Sequence, residues 1–283
     1  MNAGKKIAVV KQSKNIKLIA KCMNLNHKNL YYQKKKEIQD LIVKDKIEKT
    51  FISHPAYGHR RLALGLKMNK KKILRIMHKF NLKPPRLWYR KKFITKSDPK
   101  QNRQFTNLLK DLDLRKYSPV QIWSSDLTYL KFEGKFLYLV VIKDIVGKEI
   151  VAFNIGDQHD SDLVLKTLKE AVLKAKNLPL IFHSDRGKEY LSQSCVTFLE
   201  NLGIKISVAN PGAPWQNGWS ESFFSILKTE SGDLNRFENI GELVEYLSGY
   251  LNYYNNERIV LSLKISPVQY LKVSENVLEK RGT

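Results

Sequence analysis

The apolar positions of the chain follow a helical period in its first part. Between residues 15 and 36 the spacing predicts a short helical pair with a break at residues 24–26 and an apolar stripe at Ile16, Ile19 and Met23. A second pair is expected within residues 57–80, where Asn69 is suited to cap a helix. One face of that capped helix carries Ile73, Ile76, Met77 and Phe80. The first part of the chain is therefore predicted to hold two small helix-turn-helix elements.

Residues 83–106 separate these helices from a region of different character. The segment contains three prolines, many charges and no sustained period, which is typical of a linker. Beyond it, three β-rich runs follow in quick succession, with turn signals at Glu133-Gly134 and Gly147; the runs are QIWSSDLTYL, KFLYLVVIKDI and EIVAFNIG. The change of period predicts a meander of three strands after the linker.

Helices and strands alternate after this meander. The pattern predicts an amphipathic helix capped by Ser161, then the buried strand LPLIFHSD, a helix around residues 192–202 and the strand KISVA. A further helix, WSESFFSILKTE, follows Pro214. Three meandering strands followed by alternating helices and strands predict an α/β fold, a mixed sheet with flanking helices.

Positive charge is concentrated in the first part of the chain. Residues 1–100 hold 28 Lys and Arg against 5 Asp and Glu, whereas residues 101–283 hold 22 basic and 22 acidic residues. A generally lysine-rich protein would be basic on every surface, but the balanced second part excludes that explanation. The asymmetry predicts that the first part binds a polyanion, with nucleic acid as the partner.

The predicted nucleic-acid contacts lie on the second helix-turn-helix. A cationic second helix after a tight turn suits an element that recognises DNA or grips its backbone. The alternative is a solvated lysine face on a helix that serves only for packing, and base-specific recognition is the less favoured form of contact. The candidate residues are Arg60, Arg61, Lys70, Lys71, Lys72, Arg75 and Lys79.

Other protein classes fit the composition poorly. The sequence has no run of about 18 apolar residues that could span a bilayer, and its N-terminus shows no cleavage site of a secretory signal. Cys22 and Cys195 lie in unlike segments far apart in the chain, which gives no zinc-ligand spacing and fits a reducing compartment. We therefore expect a non-secreted protein without a structural zinc module.

Three acidic residues stand at positions that suit a functional site. Asp126 lies in the middle of a predicted strand, on the face that it shares with Ser124 and Thr128. Asp185 ends a hydrophobic strand, and strand ends are where the ligand sites of α/β sheets form. On the helix after Pro214, a rotation of about 100° per residue places Glu221 and Lys228 opposite an apolar stripe. That stripe is formed by Trp219, Phe223, Ile226 and Leu227.

The segments around these acids resemble the insertion-sequence transposases of the OrfB type. The matching segments are WSSDLTYL, FHSDRGKEY and NPGAPWQNGWSESFFSILKTE, and 35 residues separate Asp185 from Glu221, as is typical of that family. Upstream, HPAYGHRRLALGLKMNKKKILRIMHKFNLK is similar to the family's helix-turn-helix segment, and YNNERI with SPVQY is similar to its terminal block. The sequence departs from the family in ERIVLSLKISP, which lacks the usual proline and histidine soon after the arginine.

This resemblance implies a DDE catalytic core, shared with retroviral integrases and built on the RNase H-like fold. The carboxylates of Asp126, Asp185 and Glu221 would hold two Mg²⁺ ions, with Asp126 bridging them and Mn²⁺ as the alternative metal. Two such ions activate the attacking oxygen and stabilise the leaving oxygen in phosphodiester chemistry, and hard cations prefer carboxylate ligands. Because crowded carboxylates repel one another, at least one should have a raised pKa without metal.

The resemblance also implies a DNA contact close to the acids. Lys228, seven residues past Glu221, would grip a phosphate near the scissile bond, with an ordinary exposed helix lysine as the alternative. Near Asp185, the residues His183, Arg186 and Tyr190 are candidates for orienting DNA or the carboxylate, and a merely structural His183 is the alternative. An aromatic residue at Trp215 could stack on a base, or pack within its loop.

Pattern and resemblance together predict five segments. They are an N-terminal helix-turn-helix-like segment (1–50), a basic helix-turn-helix domain (51–85), a linker (86–114), a DDE integrase-like catalytic core (115–275) and a tail (276–283). The small helical modules would bind DNA and the core would carry out the chemistry. We expect a DNA transposase that cleaves at the ends of a mobile element and transfers the 3′-hydroxyl strand into DNA.

The expected partners follow from that chemistry. They are the terminal repeats of the element, the target DNA, further copies of the chain assembled on DNA, and an upstream-frame protein or fusion. The expected location is the cytoplasm of a bacterium, and no membrane partner is expected. A non-catalytic DNA-binding regulator derived from a transposase is the alternative from another class. A retroviral-type integrase is disfavoured because the His and Cys residues of its zinc module are missing, and a nuclease of the same fold would cut DNA without joining it.

Overall fold

The computed structural model of the protein describes residues 9–10, 12–13, 15–25, 35–84, 105–110, 112–210 and 218–279. The chain divides between Lys83 and Pro84 into a helical unit and a sheet unit. None of the helices in the described part combines the length and the apolar character that a membrane crossing requires. The predicted linker from 86 onward lies outside the described residues up to position 104.

The helical unit contains α1 (Ile16–Cys22), α2 (Lys35–Ser53), α3 (His59–Gly65) and α4 (Lys70–Lys79). The predicted cap of α4 is confirmed, since the Asn69 side chain accepts a hydrogen bond of 2.8 Å from the backbone N–H of Lys71. The predicted inner face of α4 is also confirmed, because Ile73, Ile76 and Met77 are buried. Helix α2 runs through position 50, where the sequence suggested a division between segments.

A buried carboxylate joins α2 to α4. Asp40 is 1% exposed, and its two oxygens accept hydrogen bonds of 2.6 and 2.9 Å from Arg75 and one of 2.9 Å from Lys79. These hydrogen bonds, from Arg75 and then Lys79, hold the pKa of Asp40 well below its ordinary value. Two of the predicted DNA-contacting cations therefore also fix the packing of the helix that carries them.

The sheet unit contains the strands β1 (Ile122–Phe132), β2 (Lys135–Asp144), β3 (Ile150–Gly156), β4 (Ile181–Ser184) and β5 (Lys205–Val208). They form one sheet in the order β3-β2-β1-β4-β5. The first three strands pair antiparallel, whereas β4 pairs parallel with both β1 and β5. The predicted mixed sheet is confirmed, with all five strands in the predicted segments.

Helices cover both faces of this sheet. They are α5 (Ser161–Lys174), α6 (Gln193–Asn201), α7 (Gly218–Ser231), α8 (Ile240–Asn256) and α9 (Pro267–Glu279). One face packs against α7 and α8 through a cluster that includes Leu139, Val141, Phe223 and Leu247. The opposite face packs against α5 and α6 through Trp123, Val140, Leu168, Leu199 and their neighbours. The sequence pattern had predicted α5, α6 and α7 but not α8 and α9.

Two local expectations met different outcomes. The turn between β1 and β2 is confirmed: Glu133 and Gly134 have φ values of +47° and +76°, which suits a two-residue hairpin turn. The predicted cap of α5 at Ser161 is wrong by one residue, because the Asp160 side chain accepts the hydrogen bond from the Leu163 N–H. Both residue types cap helices well, and the backbone leaves its extended conformation only after Asp160.

Candidate active site

Asp126 lies on β1, and Asp185 directly follows the neighbouring parallel strand β4. Strand β1 pairs with β4 so that Ser124 lies opposite His183. Asp126 lies two residues beyond Ser124, and Asp185 lies two residues beyond His183. Because parallel strands advance together and successive side chains alternate between faces, this register places both acids side by side on one sheet face. That face is the one covered by α7 and α8.

The charges of Asp126 and Asp185 both act on one buried tyrosine, Tyr190. The hydroxyl of Ser125 donates a hydrogen bond of 3.2 Å to the Tyr190 hydroxyl, and the Tyr190 ring is 2% exposed. Burial raises the pKa of Tyr190, and the charges of Asp126 and Asp185 raise it further. The two acids therefore lie close to one phenol group, which supports their proximity to each other.

The surroundings of Asp185 disfavour the charged form of its carboxyl group. Its Oδ1 accepts a hydrogen bond of 3.0 Å from the Gly187 N–H. Burial raises the pKa of Asp185 above its ordinary value, that hydrogen bond opposes the rise, and the nearby Glu189 carboxylate adds to it. The pKa of Asp185 is thus raised, but burial is the largest cause and the repelling carboxylate is that of Glu189; repulsion among the three predicted acids stays a prediction. His159, which lies 3.1 Å from Glu189, offsets part of this negative charge.

The first turn of α7 lies at the level of Ser124 on the sheet. Lys143 and His183 are the residues paired with Ser124 on the two neighbouring strands. The Lys143 ammonium donates a hydrogen bond of 3.3 Å to the carbonyl oxygen of Trp219, and the rings of His183 and Trp219 meet edge to face at 6.1 Å. The sheet therefore fixes the start of α7 one side-chain row before Asp126.

The last turn of α7 lies at the level of Thr128, one row beyond Asp126. The Lys228 ammonium donates a hydrogen bond of 2.7 Å to the Thr128 hydroxyl. From Trp219 to Lys228 the helix rises about 13 Å, which matches the rise of about 13 Å over four residues of strand. Position 221 belongs to the stretch of helix between these contacts, which bracket Asp126. The side chain of Glu221 lies outside the described part of the structure.

Lys228 faces the sheet. Besides Thr128, it contacts the ring of Tyr129, with its Nζ 4.8 Å from the ring centroid. On a helix, positions 221 and 228 differ by only about 20° around the axis. The helix face that holds Lys228 against β1 is therefore also the face of position 221.

Two buried cations that the sequence pattern did not single out hold α7 against the rest of the unit. Lys143 anchors the first turn, as described above. At the other end, Arg258 is 1% exposed and binds the Glu230 carboxylate through Nη2 at 2.6 Å and through Nε at 2.9 Å. Tyr250 adds a hydrogen bond of 2.8 Å to the same carboxylate. A charged residue near an apolar run carries no local signal of such a role, since its partner is distant in the chain.

The other residues near Asp185 serve the local structure. The Nδ1 atom of His183 lies 2.9 Å from the Ser207 hydroxyl, and His183 is fully buried. Arg186 donates a hydrogen bond of 3.0 Å to the carbonyl of Ala209, just after β5. These contacts tie the Asp185 loop to the neighbouring strand. The predicted base-stacking candidate Trp215 lies outside the described residues.

The predicted DNA-contacting residues of the helical unit form a basic surface on α3 and α4. Lys70 and Lys71 are exposed at the start of α4, and Lys72 is half-buried beside them. Arg60 is exposed on α3, whereas the Arg61 guanidinium lies 5.9 Å from the Tyr57 ring. Arg75 and Lys79 bind Asp40 yet keep 41% of their side chains exposed.

The chemistry of the donor set suits a hard divalent cation. Asp126 and Asp185 offer carboxylate oxygens at adjacent positions, the ligand type that Mg²⁺ prefers. Among the side chains that the structure describes, no three His, Cys, Asp or Glu residues are arranged to hold a metal ion. The third candidate, Glu221, is not among those side chains.

Sequence comparison relates the sheet unit to known families. Residues 116–214 match the family model described as integrase core domain, and residues 202–264 match a second model of the same description. An uncharacterised transposase-like protein of Haemophilus influenzae is 34% identical over 221 residues, which are 76% of this chain and 99% of that protein. The putative transposase InsK of the insertion element IS150 from Escherichia coli is 29% identical over 76% of this chain and 77% of that protein.

A further relative and two solved structures complete the comparison. The transposase of the insertion sequence IS904 from Lactococcus lactis is 28% identical over 80% of this chain and 91% of that protein. The integrase catalytic core of HTLV-2 in complex with magnesium is 21% identical, with a TM-score of 0.45, and the match covers 54% of this chain and 96% of that one. A simian T-cell lymphotropic virus intasome chain is 19% identical, with a TM-score of 0.48, over 78% of this chain and 73% of that one.

Proposed function

This chain belongs to the insertion-sequence transposases that carry an integrase core domain, and we propose that Asp126, Asp185 and Glu221 form its catalytic centre. Its enzyme class is that of DDE polynucleotidyl transferases, which cleave and join DNA strands. The observation that carries the proposal is the register of β1 and β4. It sets two carboxylates side by side on the face along which the helix bearing Glu221 runs.

The three carboxylates would hold two divalent metal ions, Mg²⁺ in the first place and Mn²⁺ as the alternative. When bound, such ions activate the attacking oxygen and stabilise the leaving oxygen of an in-line displacement at phosphorus. Asp126 lies on a central strand, and Asp185 and Glu221 lie on neighbouring elements, so all three carboxylates would supply ligands to the ions.

Positive charge near these acids positions the DNA strand. Lys228 lies one row beyond Asp126, where its ammonium can exchange part of its contact with Thr128 for a phosphate of the bound strand. Carboxylates without cations repel the DNA backbone, and bound metal ions would neutralise that repulsion. We propose that these groups together place the scissile phosphate over Asp126.

The helical unit would capture the DNA on which the sheet unit acts. Its exposed lysines at the start of α4 and the arginines of α3 would supply phosphate contacts. The division of the chain into five segments stays a prediction. The DNA partners are the terminal repeats of the element and the target. We further propose that copies of the chain assemble on DNA within the bacterial cytoplasm, and that an upstream-frame protein or fusion takes part.

The test is an activity assay with single amide substitutions in the full chain. Asp126→Asn and Glu221→Gln each replace a carboxylate by a neutral amide and keep the shape of the side chain. We expect both variants to lose cleavage and strand transfer on a labelled duplex that carries the end of the element. DNA binding, measured by fluorescence anisotropy without metal, should stay at least as tight, because each variant removes a negative charge.

A matched control is Glu200→Gln, an exposed acid on α6 that should keep full activity. Cleavage by either of the two site variants at the rate of the unmodified chain would exclude that residue from the catalytic centre. Cutting without joining by the unmodified chain would assign it to the nucleases instead.

A further inference from the structure

Lys143 is a buried cation in the strand next to Asp126. It lies near the end of β2, is 5% exposed, and shares a sheet face with Leu139 and Val141, both buried apolar residues. Its ammonium donates to the carbonyl oxygen of Trp219 at 3.3 Å and lies 5.7 Å from the ring centroid of Phe223. The cation is therefore enclosed between the sheet and the first two turns of α7.

Keeping an ammonium in this place is costly. Burial, together with the charges of Lys148 and Arg258, lowers the pKa of Lys143 to about 7. The adjacent Asp144 opposes this shift, but its carboxylate accepts hydrogen bonds from the backbone N–H groups of residues 120, 146 and 147. A leucine or methionine would fill the same volume without this cost. A buried amine kept in this place and hydrogen-bonded to the Trp219 carbonyl thus points to a role beyond packing.

The contact that Lys143 makes is also well placed for such a role. Trp219 is the second residue of α7, and Glu221 follows two residues later. The helix begins at Gly218, a residue with poor helix propensity, and the first turn of any helix gains few of its own hydrogen bonds. The first turn of α7 therefore depends on contacts from outside the helix.

We propose that Lys143 is a positioning residue that docks the first turn of α7, and with it Glu221, at the correct depth against β1. The inference rests on the proposed catalytic role of Glu221. The other polar anchors of α7, Lys228 with Thr128 and Arg258 with Glu230, lie in its last turns, and the first turn has beside Lys143 only apolar and ring contacts such as that of Trp219 with His183 among the described side chains. Loss of the Lys143 hydrogen bond therefore frees the turn that carries Glu221 and leaves the end of the helix in place.

The decisive variant is Lys143→Met in the full chain. It keeps an unbranched side chain of similar volume, one atom shorter, and removes the charge and the donor. We expect the Tm to stay unchanged or to rise, since no buried charge remains. Amide hydrogen exchange in residues 218–223 should become at least about 10-fold faster than in the unmodified chain, in the absence of metal.

The same variant should lose about 10–100-fold in kcat for end cleavage, as expected for a catalytic group displaced by about 1 Å. KM for the DNA end should change less than twofold, because Lys143 is enclosed and does not touch DNA. Lys143→Gln keeps a shorter donor and should give an intermediate kcat. Lys166→Met, at an exposed lysine of α5, is the matched control and should leave both exchange and kcat unchanged.

The outcomes separate this inference from the proposed function. Normal kcat and normal exchange in Lys143→Met, with an inactive Glu221→Gln, would overturn the role of Lys143 alone. An active Glu221→Gln would overturn the catalytic assignment itself. A lowered Tm in Lys143→Met, with kcat restored at lower temperature, would make Lys143 a general stabilising residue and would also overturn the inference.

Discussion

Glu230→Gln provides a quantitative test of how α7 is held in place. The Glu230 carboxylate accepts two hydrogen bonds from Arg258, of 2.6 and 2.9 Å, and one of 2.8 Å from Tyr250. The side chains of Arg258 and Glu230 are 2% and 11% exposed. Burial opposes the charge of Arg258, but the hydrogen bonds and charge of Glu230 outweigh it and raise the pKa of Arg258. The pair is therefore an enclosed, charge-assisted contact.

The magnitude follows from this enclosure. Removing one partner of a buried ion pair costs about 3–5 kcal/mol, because the other charge stays buried without compensation. Glutamine keeps one acceptor oxygen, so we expect the lower end, about 3 kcal/mol in the free energy of unfolding. For a unit of about 200 residues, each kcal/mol corresponds to roughly 2–4 °C in Tm. The Tm of the sheet unit should thus fall by roughly 6–12 °C.

The assay is differential scanning calorimetry of the full chain without metal. Glu170→Gln is the matched control, since its pair with Lys174 is exposed at a separation of 3.7 Å and should contribute no more than about 0.5 kcal/mol. The double variant Glu230→Gln with Arg258→Met should recover much of the loss, because it leaves no unpaired buried charge. Equal, small Tm changes in Glu230→Gln and Glu170→Gln would refute the reasoning.

Three further predictions concern charge. Asp185→Asn should raise the metal-free Tm by roughly 2–4 °C, equivalent to about 1 kcal/mol, because burial penalises the charged carboxylate. Mg²⁺ should stabilise the unmodified chain more than the variant, and equal stabilisation of both by Mg²⁺ would contradict this prediction. Asp40 has a lowered pKa, so the stability that it contributes is present at neutral pH and is lost as the pH falls below about 4. Asp40→Asn should accelerate amide exchange of α4 at pH 7, and unchanged exchange would contradict the role of Asp40 in joining α2 to α4. Replacing the lysines at 70–72 with glutamine should lower the slope of log K against log salt by about 0.9 per lost phosphate contact, whereas Lys166→Gln should leave the slope unchanged.

Much of the fold was predictable because its signals are local. The alternation that defines β1 to β3 and the stripe on α4 both arise within a few residues, and so does the hairpin turn at Glu133 and Gly134. The cap of α5 was placed one residue late because Asp160 and Ser161 are both good caps. Only the backbone conformation decides between them.

The candidate site was predictable for a different reason. The spacing of Asp185 and Glu221, together with the sequence segment around Asp126, matched a family pattern. Binding of hard divalent metal ions explains why carboxylates are needed. Lys143 and Arg258 were not predicted, because the contacts that define them join residues 76 and 28 positions apart in the chain. A helical or strand period carries no information over such distances.

The sequence by itself indicated the segments of all five strands and of most helices, though not of α8 and α9, and the concentration of positive charge in the first hundred residues. It also pointed to the three acids that we propose as the catalytic centre. The tertiary structure alone decided that β1 and β4 pair in the register that sets Asp126 beside Asp185, and that α7 runs along β1 between two anchoring contacts. The reason is physical: periodicity and capping act between neighbours in the chain. Strand register and the burial of a cation depend on packing between segments that the sequence keeps far apart.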